Sequence, residues 1–260
     1  MEIKCLVENH CINSNIEREH GLSLFIKTND YNILFDLGQG DLFLKNAKLL
    51  NVDLKSVDIL VISHGHYDHG GGLEYFLKEN SKAKVYLSKH AFGDFYNGKE
   101  KYIGLNKLID KSRLILTENM VKIDENVRIF SNSQIKKVYP FACPGLYEKK
   151  GEFLLDEFLH EQHLEIKEGG KSYVFCGCSH VGVMNVCEFF KPNYLIGGFH
   201  LKDIQVEENF EFFKNFALVL NNYPTNYITC HCTGIEQFNL LKEFLKNKLS
   251  YLYCGQTLKL

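Results

Sequence analysis

The stretch SHGHYDHGGG, residues 63–72, concentrates three histidines and an aspartate within six residues. Imidazole and carboxylate groups are the ligands that zinc and similar divalent metals take from proteins. Because residues i and i+2 of an extended segment point to the same side, His64 and His66 can hold one ion. Asp68 and His69 can reach a second ion once the chain bends at the glycines that follow. The stretch therefore predicts a metal site.

Apolar runs rich in β-branched and aromatic residues predict strands around this site, and periodic apolar stripes predict helices. Residues 59–62 are all apolar, which is typical of a strand buried on both faces. Asp41 is a plausible N-cap of the first helix, and EGGK at 168–171 is typical of a hairpin turn. The predicted strands are 3–8, 22–28, 31–38, 57–63, 83–89, 113–118, 127–132, 163–168, 171–177, 192–199 and 226–231. The predicted helices are 41–52, 71–80, 181–191, 208–222 and 234–247.

The order of these elements is a strand meander followed by alternating strands and helices, and this order occurs twice. It predicts a single α/β (α+β) domain over 1–260, with two sheets packed face to face and helices outside them. The segment 89–110 has no regular pattern and carries three glycines among aromatic residues. We expect a lid or a substrate-facing insertion there.

The composition argues against several classes of protein. Of the 260 residues 45% are hydrophobic, and the formal net charge is −2. A near-neutral chain without a basic stripe is not typical of a protein that binds nucleic acid or anionic membranes. No apolar run approaches the roughly 18 residues of a membrane helix, and the first residues lack a signal-peptide pattern. We therefore expect a cytoplasmic protein whose partner is a small-molecule substrate. The oligomeric state is not predicted.

The chain has nine cysteines, an odd number, which favours reduced, buried thiols over a disulfide framework. Cys230 and Cys232 are expected to pack in the core. An iron–sulfur cluster on these two thiols and those of Cys176 and Cys178 is the disfavoured alternative.

The segment HGHYDH, residues 64–69, matches the HxHxDH signature of the metallo-β-lactamase superfamily, and the chain resembles this family along essentially its whole length. The resemblance implies a four-layer αββα sandwich with a one- or two-metal site at one edge of the sheets. One branch of the family, labelled dihydropterin–ribofuranosylaminobenzene 5′-phosphate synthase-like, is similar in more detail. The similar segments are LVEN, EHGLSLFI, ILFDLGQGDLFLKNA, SHGHYDHGGGL, FCGCSHVGVMNV, IGGFHL and HCTG.

The family pattern implies three further ligands. Leu146, in CPGLYEK, stands where a histidine is usual, and His180 in FCGCSHVG is the natural substitute. Cys178 aligns with an aspartate that bridges the metals in the family, and thiolate is a good zinc ligand. Because two residues on one short turn rarely converge on one point, we treat Cys178 and His180 as alternatives. His231, in TCHCTG, matches the last ligand of the family.

Four polar residues outside the ligand set bear on the site. His200, in IGGFHL, follows a predicted strand and is a proton donor, a substrate anchor or a core histidine. Asp36, in LFDLG, resembles the early aspartate that orients the histidine segment in the family by hydrogen bonds. His160 and His163 are weaker candidates for the missing ligand; they lie in an amphipathic strand with polar surroundings and are expected at the surface.

Two adjacent divalent ions lower the pKa of a bridging water and polarise an ester, amide or phosphoryl oxygen. We therefore expect a hydrolase of a small anionic or phosphorylated substrate, in which Asp68 orients the water and His200 protonates the leaving group. Zinc is the expected ion, with manganese and iron as alternatives; His66 stands where diiron members of the family usually have glutamate. A synthase or transferase of a pterin pathway, as the family label implies, and a non-catalytic metal-binding or sensing protein stay open.

Overall fold

The computed structural model describes all 260 residues and contains 18 strands and six α-helices. The strands are β1 (Glu2–Val7), β2 (Ser23–Lys27), β3 (Asn32–Phe35), β4 (Ile59–Val61), β5 (Lys84–Ser88), β6 (Phe95–Asn97), β7 (Lys101–Tyr102), β8 (Leu114–Thr117), β9 (Met120–Lys122), β10 (Val127–Ser131), β11 (Leu146–Lys150), β12 (Glu152–Leu155), β13 (Gln162–Glu168), β14 (Lys171–Cys176), β15 (Tyr194–Gly197), β16 (Asn226–Thr229), β17 (Leu249–Tyr251) and β18 (Thr257–Lys259). The helices are α1 (Leu42–Leu49), α2 (Tyr67–Gly70), α3 (Leu73–Glu79), α4 (Val183–Phe190), α5 (Phe210–Asn221) and α6 (Ile235–Leu245).

Two seven-stranded sheets form the centre of the fold. The first has the order β18-β1-β2-β3-β4-β5-β8, and the second has the order β17-β16-β15-β14-β13-β10-β9. In each sheet antiparallel strands give way to parallel ones, at the β3–β4 pair in the first and at the β14–β15 pair in the second. The parallel strands are joined by crossovers that contain the helices, as the repeated order of elements predicts, except for β5 and β8, whose connection contains β6 and β7.

Three apolar clusters separate four layers. One cluster lies between the two sheets and includes Phe35, Val61 and Phe175. A second lies outside the first sheet and includes Phe43 of α1 and Phe76 of α3. A third lies outside the second sheet, where α4, α5 and α6 pack. The architecture is therefore the predicted αββα sandwich. No helix is both long enough and apolar enough to cross a membrane.

The predicted elements are present, with ends shifted by a few residues. All three residues of β4 are buried, so this strand is covered on both faces as predicted. Gly169 and Gly170 both have positive φ in the β13–β14 hairpin, which is the geometry that a two-residue turn of this kind requires. Asp41 is the N-cap residue of α1 as predicted, but its side chain makes no capping hydrogen bond and lies 3.5 Å from Lys45 Nζ instead.

A third sheet of four short strands, β12-β11-β6-β7, was not predicted; we call it the cap sheet. Two of its strands, β6 and β7, lie inside the segment 89–110, for which a lid or insertion was predicted. The Tyr67 amide donates to the carbonyl of Ile103, just beyond β7, at 2.8 Å, and His66 forms an isolated bridge with Gly104. The cap sheet is therefore fixed to the segment that carries the histidines.

Candidate metal centre

The signature segment, residues 63–70, follows β4, and its residues His66, Tyr67 and Asp68 line a cleft of about 210 Å³. Asp68 and His69 lie on the short helix α2, which begins at Tyr67 and was not predicted. The loops that follow β14, β15 and β16 supply Cys178, His180, His200 and His231 to the same cleft. Loops after strands at one edge of two facing sheets thus bring together residues from distant parts of the chain.

His64, His66 and His180 form the first group of imidazoles. Their ring centroids are 4.6 Å apart for His64 and His66, 5.0 Å for His64 and His180, and 5.3 Å for His66 and His180. The Nε2 atoms of all three are buried and have no hydrogen-bond partner. Leaving three buried polar atoms unpaired is costly, and a divalent ion among them would satisfy all three.

Asp68, His69 and His231 form the second group. The Nδ1–H of His69 donates to Asp36 at 2.7 Å, and the Nδ1–H of His231 donates to Asn9 at 2.9 Å. Their Nε2 atoms therefore face one another at 3.1 Å, with a carboxylate oxygen of Asp68 3.4 Å from His231 Nε2. A proton shared by the two Nε2 atoms, or a metal ion between them, would satisfy both, and the Asp68 carboxylate favours either positive charge.

Cys178 lies between the two groups. Its Sγ is within 4.8 Å of the donor atoms of His64 and His180, and also within 4.8 Å of those of His69 and His231. Cys178 and His180 therefore both reach the centre, and which of the two binds a metal stays a prediction. The turn between them can bring both there because Ser179 adopts the left-handed conformation, with φ of 53°. Leu146 lines the same cleft.

Three buried carboxylates hold the segments that carry the proposed ligands. Asp36 accepts hydrogen bonds from the amide and hydroxyl of Ser63 at 2.6 and 2.7 Å, besides that from His69. Glu161 accepts from the amides of His180 and Val181, at 2.8 and 3.1 Å. Glu8 accepts from the amide of His231 at 2.7 Å and from the Tyr251 hydroxyl. The orienting role predicted for Asp36 agrees with this geometry, whereas Glu8 and Glu161 were not singled out.

The electrostatics of the two groups differ. Burial lowers the pKa of His66 to about 3 and the pKa of His64 and His180 well below the usual range, so all three imidazoles are neutral. Burial also opposes charge on His69, but the carboxylates of Asp36 and Asp68 outweigh it and raise the pKa of His69 to about 9. The second group therefore favours positive charge at the point where the two Nε2 atoms meet.

The expectation that His160 and His163 lie at the surface is wrong. Their exposed fractions are 1% and 0%. The partners that allow this are distant in the sequence or not obvious from it: His160 Nε2 lies 3.0 Å from Asp156, and His163 Nε2 lies 2.9 Å from Asn132. The polar surroundings of these histidines indicate solvent in the sequence, whereas in the fold they supply buried hydrogen-bond partners.

His200 lies in the cleft beside the first group, with its ring 4.4 Å from that of His180. Its backbone is in the left-handed conformation, with φ of 53°. Burial opposes its protonation, but contacts with Cys143 and Cys232 outweigh burial and raise the pKa of His200 to about 10. Cys232 is buried as expected and also lines the cleft, whereas Cys230 packs between the sheets.

His20 was missed. Its Nε2 lies 3.1 Å from Asp68, its ring packs 4.8 Å from that of His231, and it lines the cleft. The segment EHGLSLFI, which contains His20, is one of those that resemble the family branch, and this resemblance could have drawn attention to the histidine.

The fold and the site define the class of protein. The family model described as the metallo-β-lactamase superfamily matches residues 16–191. The chain belongs to this superfamily.

Individual relatives cover nearly the whole chain. An uncharacterized protein of Methanocaldococcus jannaschii is 31% identical over 271 aligned positions, which cover 98% of each protein. A second protein of that organism, named 7,8-dihydropterin-6-methyl-4-(β-D-ribofuranosyl)-aminobenzene-5′-phosphate synthase, is 27% identical and is covered to 96%. A crystal structure described as a metal-dependent hydrolase of the β-lactamase superfamily is 29% identical, with a TM-score of 0.84 and coverage of 100% of this chain and 99% of that one.

Proposed function

We propose that this chain is a metal-dependent hydrolase that uses two divalent ions, preferably zinc, with manganese or iron as the alternatives. His64, His66 and His180 would hold one ion, and Asp68, His69 and His231 would hold the other. Cys178 lies where it can contribute a thiolate to either. Three protein ligands for each ion are typical of catalytic zinc, which keeps a position open for substrate or water.

The observation that carries this proposal is the state of the Nε2 atoms of the two groups. Those of His64, His66 and His180 are buried without partners, and those of His69 and His231 lie 3.1 Å apart. His66, His180 and His231 line the cleft, as ligands of a catalytic site must and those of a purely structural site need not.

When bound, two divalent ions would activate a water molecule at neutral pH and polarise the bond to be broken. The free oxygen of Asp68 can accept a hydrogen bond from the attacking water and so fix its direction. His200, whose pKa of about 10 keeps it protonated at neutral pH, can donate a proton to the leaving group. The buried carboxylates Asp36, Glu8 and Glu161 keep the participating side chains in place.

A small anionic or phosphorylated substrate is supported by the walls of the cleft. Lys101 of the cap sheet and Lys202, two residues after His200, both line it. Lys101 Nζ donates to the hydroxyl of Tyr67 at 3.3 Å, which keeps the ammonium group near the cleft. Asp203 lines the same wall as Lys202, so the positive charge is concentrated at the cap side. The phosphate in the name of one relative's product agrees with this choice.

The test begins with a screen of chromogenic phosphodiesters, phosphomonoesters and lactones against protein loaded in turn with zinc, manganese or iron. For any substrate that is turned over, Asp68→Asn should lower kcat by about 100-fold or more, because a metal-activated water supplies several kcal/mol of barrier lowering. The matched control is Asp203→Asn, which removes a cleft carboxylate outside both groups and should change kcat little.

Two outcomes would contradict the proposal. Unchanged turnover in Asp68→Asn would show that the water is not oriented there. No turnover by fully metallated protein across the screen would favour the second candidate, the synthase reaction that the 27% identical relative's name suggests, or a metal-binding role without catalysis. Assay of product formation from a dihydropterin and a phosphorylated aminobenzene riboside would separate these two.

A further inference from the structure

His160 lies directly behind the signature segment, where neither of its nitrogens is free to bind a metal. Its Nδ1 accepts a hydrogen bond from the amide of Gly65 at 3.0 Å. Because Nδ1 accepts, Nε2 carries the proton and donates to Asp156 Oδ2, also at 3.0 Å. The His160 and Asp156 side chains are 1% and 2% exposed, so water does not compete for these bonds.

Gly65 is the residue between the two histidines that share the first ion. Its amide makes no hydrogen bond to a backbone carbonyl, and His160 is its partner. The space around Gly65 is full: a Cβ built there would lie 2.3 Å from the carbonyl oxygen of Ala91 and 2.8 Å from the Phe95 ring. The peptide that connects His64 and His66 is therefore held on one side by packing and on the other by a single hydrogen bond.

The hydrogen bond also joins two parts of the fold. Asp156 follows β12 and Phe95 begins β6, and both strands belong to the cap sheet. The ring of His160 packs on Phe95, with centroids 3.9 Å apart, and lies 5.1 Å from the ring of His66. Asp156 is itself fixed by the amide of Phe158, which donates to its other oxygen at 2.7 Å.

From this geometry we propose that His160, oriented by Asp156, is a positioning residue for the first metal ion: it fixes the Gly65 peptide and thereby the spacing of His64 and His66. The inference rests on the metal centre proposed above but not on the hydrolytic reaction. Partners of this kind typically contribute roughly 10–100-fold to metal affinity.

Three substitutions separate the two hydrogen bonds of His160. His160→Asn places an amide oxygen where Nδ1 stands, so it retains an acceptor for Gly65 and loses the donor to Asp156. His160→Gln reaches the position of Nε2, so it retains the donor and loses the acceptor. His160→Phe loses both. The affinity of the metal-free protein for Co²⁺, measured by competition with a chromogenic chelator, should fall roughly 10–100-fold in His160→Phe and His160→Gln. It should fall much less in His160→Asn.

The matched control is His163→Gln, since His163 is equally buried, lies three residues away and contacts Asn132 rather than the signature segment. Wild-type affinity in His160→Phe, or an equal loss in His160→Asn and His160→Gln, would overturn the inference. A wild-type protein that takes up no Co²⁺ would overturn the metal centre itself, and the positioning role with it.

A measurement on the wild-type protein tests the inference without relying on variants that could misfold. NMR should show a coupling across the hydrogen bond from the Gly65 amide to His160 Nδ1, and a proton on His160 Nε2. An Nδ1–H tautomer would overturn the inference whatever the variants do.

Discussion

Four of the five histidines proposed as ligands share one feature: a hydrogen bond at Nδ1 orients the ring and leaves Nε2 for the ion. This arrangement fixes both the tautomer and the direction of the free lone pair. The pairs are His64 with Ser63 Oγ, His69 with Asp36, His180 with Cys143 Sγ and His231 with Asn9. Because the partners differ in type, the four rings are held by oxygen acceptors of different strength and by one sulfur.

His180 is the residue whose role the sequence left most open. Its substitution by alanine tests that role. In His180→Ala the ion held with His64 and His66 keeps only two of its three imidazoles, so we expect one equivalent of metal to be lost on dialysis. Elemental analysis of the dialysed protein measures this. His163→Gln, which also changes a buried histidine, should retain the wild-type content. Full metal content in His180→Ala would mean that Cys178 suffices in its place.

The signature histidines could be found from the sequence because the chemistry is local: four candidate ligands lie within six residues. His20 and Glu8 could not be found in this way, because each acts on a residue far away in the chain. His20 lies 48 positions before Asp68, and Glu8 lies 223 positions before His231, the residue whose amide it accepts. Only the fold brings these pairs into contact.

At the scale of the elements, the loop after β14 shows how a buried charge shapes a site. Glu161 accepts from two successive amides of this loop and from Asn132 Nδ2, at 2.8 Å. In Glu161→Gln one oxygen becomes an NH₂ group that faces donors, so a buried N–H loses its acceptor. We expect a loss of about 1–3 kcal/mol in the free energy of unfolding, measured in denaturant. Glu152→Gln, an exposed change, should have little effect; an equal effect of both would contradict the role given to Glu161.

Strand β13 carries a histidine whose titration bears on stability. Burial lowers the pKa of His163 from 6.5 to about 3. Between these values the unfolded chain binds a proton that the folded chain does not, so the stabilisation present above pH 6.5 is lost progressively as the pH falls towards 3. For this one proton, the free energy of unfolding falls by up to about 1.4 kcal/mol for each pH unit.

His163→Gln tests this, because glutamine keeps a donor for Asn132 and does not titrate. Unfolding in denaturant at pH 7 and pH 5 should show a smaller loss of stability on acidification in the variant than in the wild type. Equal losses in both proteins would show that His163 is not neutral in the folded state.

The main strands and helices were predictable because each has an apolar face at its own period, as in α6, or a continuous apolar run, as in β4. The cap sheet was not. Its strands are two to five residues long, and β7 consists of Lys101 and Tyr102, both exposed. Such segments have no apolar alternation to reveal them, and they form strands because they pair with each other over the cleft.

At the scale of the whole molecule, the cleft lies where the two halves of the sandwich meet. The signature segment follows a strand of the first sheet, whereas His180 and His231 follow strands of the second. Each proposed ion therefore has ligands from both sheets. The apolar cluster between the sheets joins the halves along their faces, and the ions would join them at the edge.

This arrangement predicts that the metals stabilise the fold. An ion that binds only the native state raises the free energy of unfolding by about 4 kcal/mol when its concentration is 1,000 times its dissociation constant. Because the unfolded chain separates residues 64–69 from 180 and 231, it cannot reproduce either group of ligands. Removal of the metals with a chelator should lower Tm by several degrees, at roughly 2–4 °C for each kcal/mol. Added zinc should restore it.

The control is the His180→Ala protein, which lacks one ion from the start. Its Tm should fall less on chelation than the Tm of the wild type does. Identical melting curves before and after removal of the metals, verified by elemental analysis, would show that the ions do not hold the two sheets together.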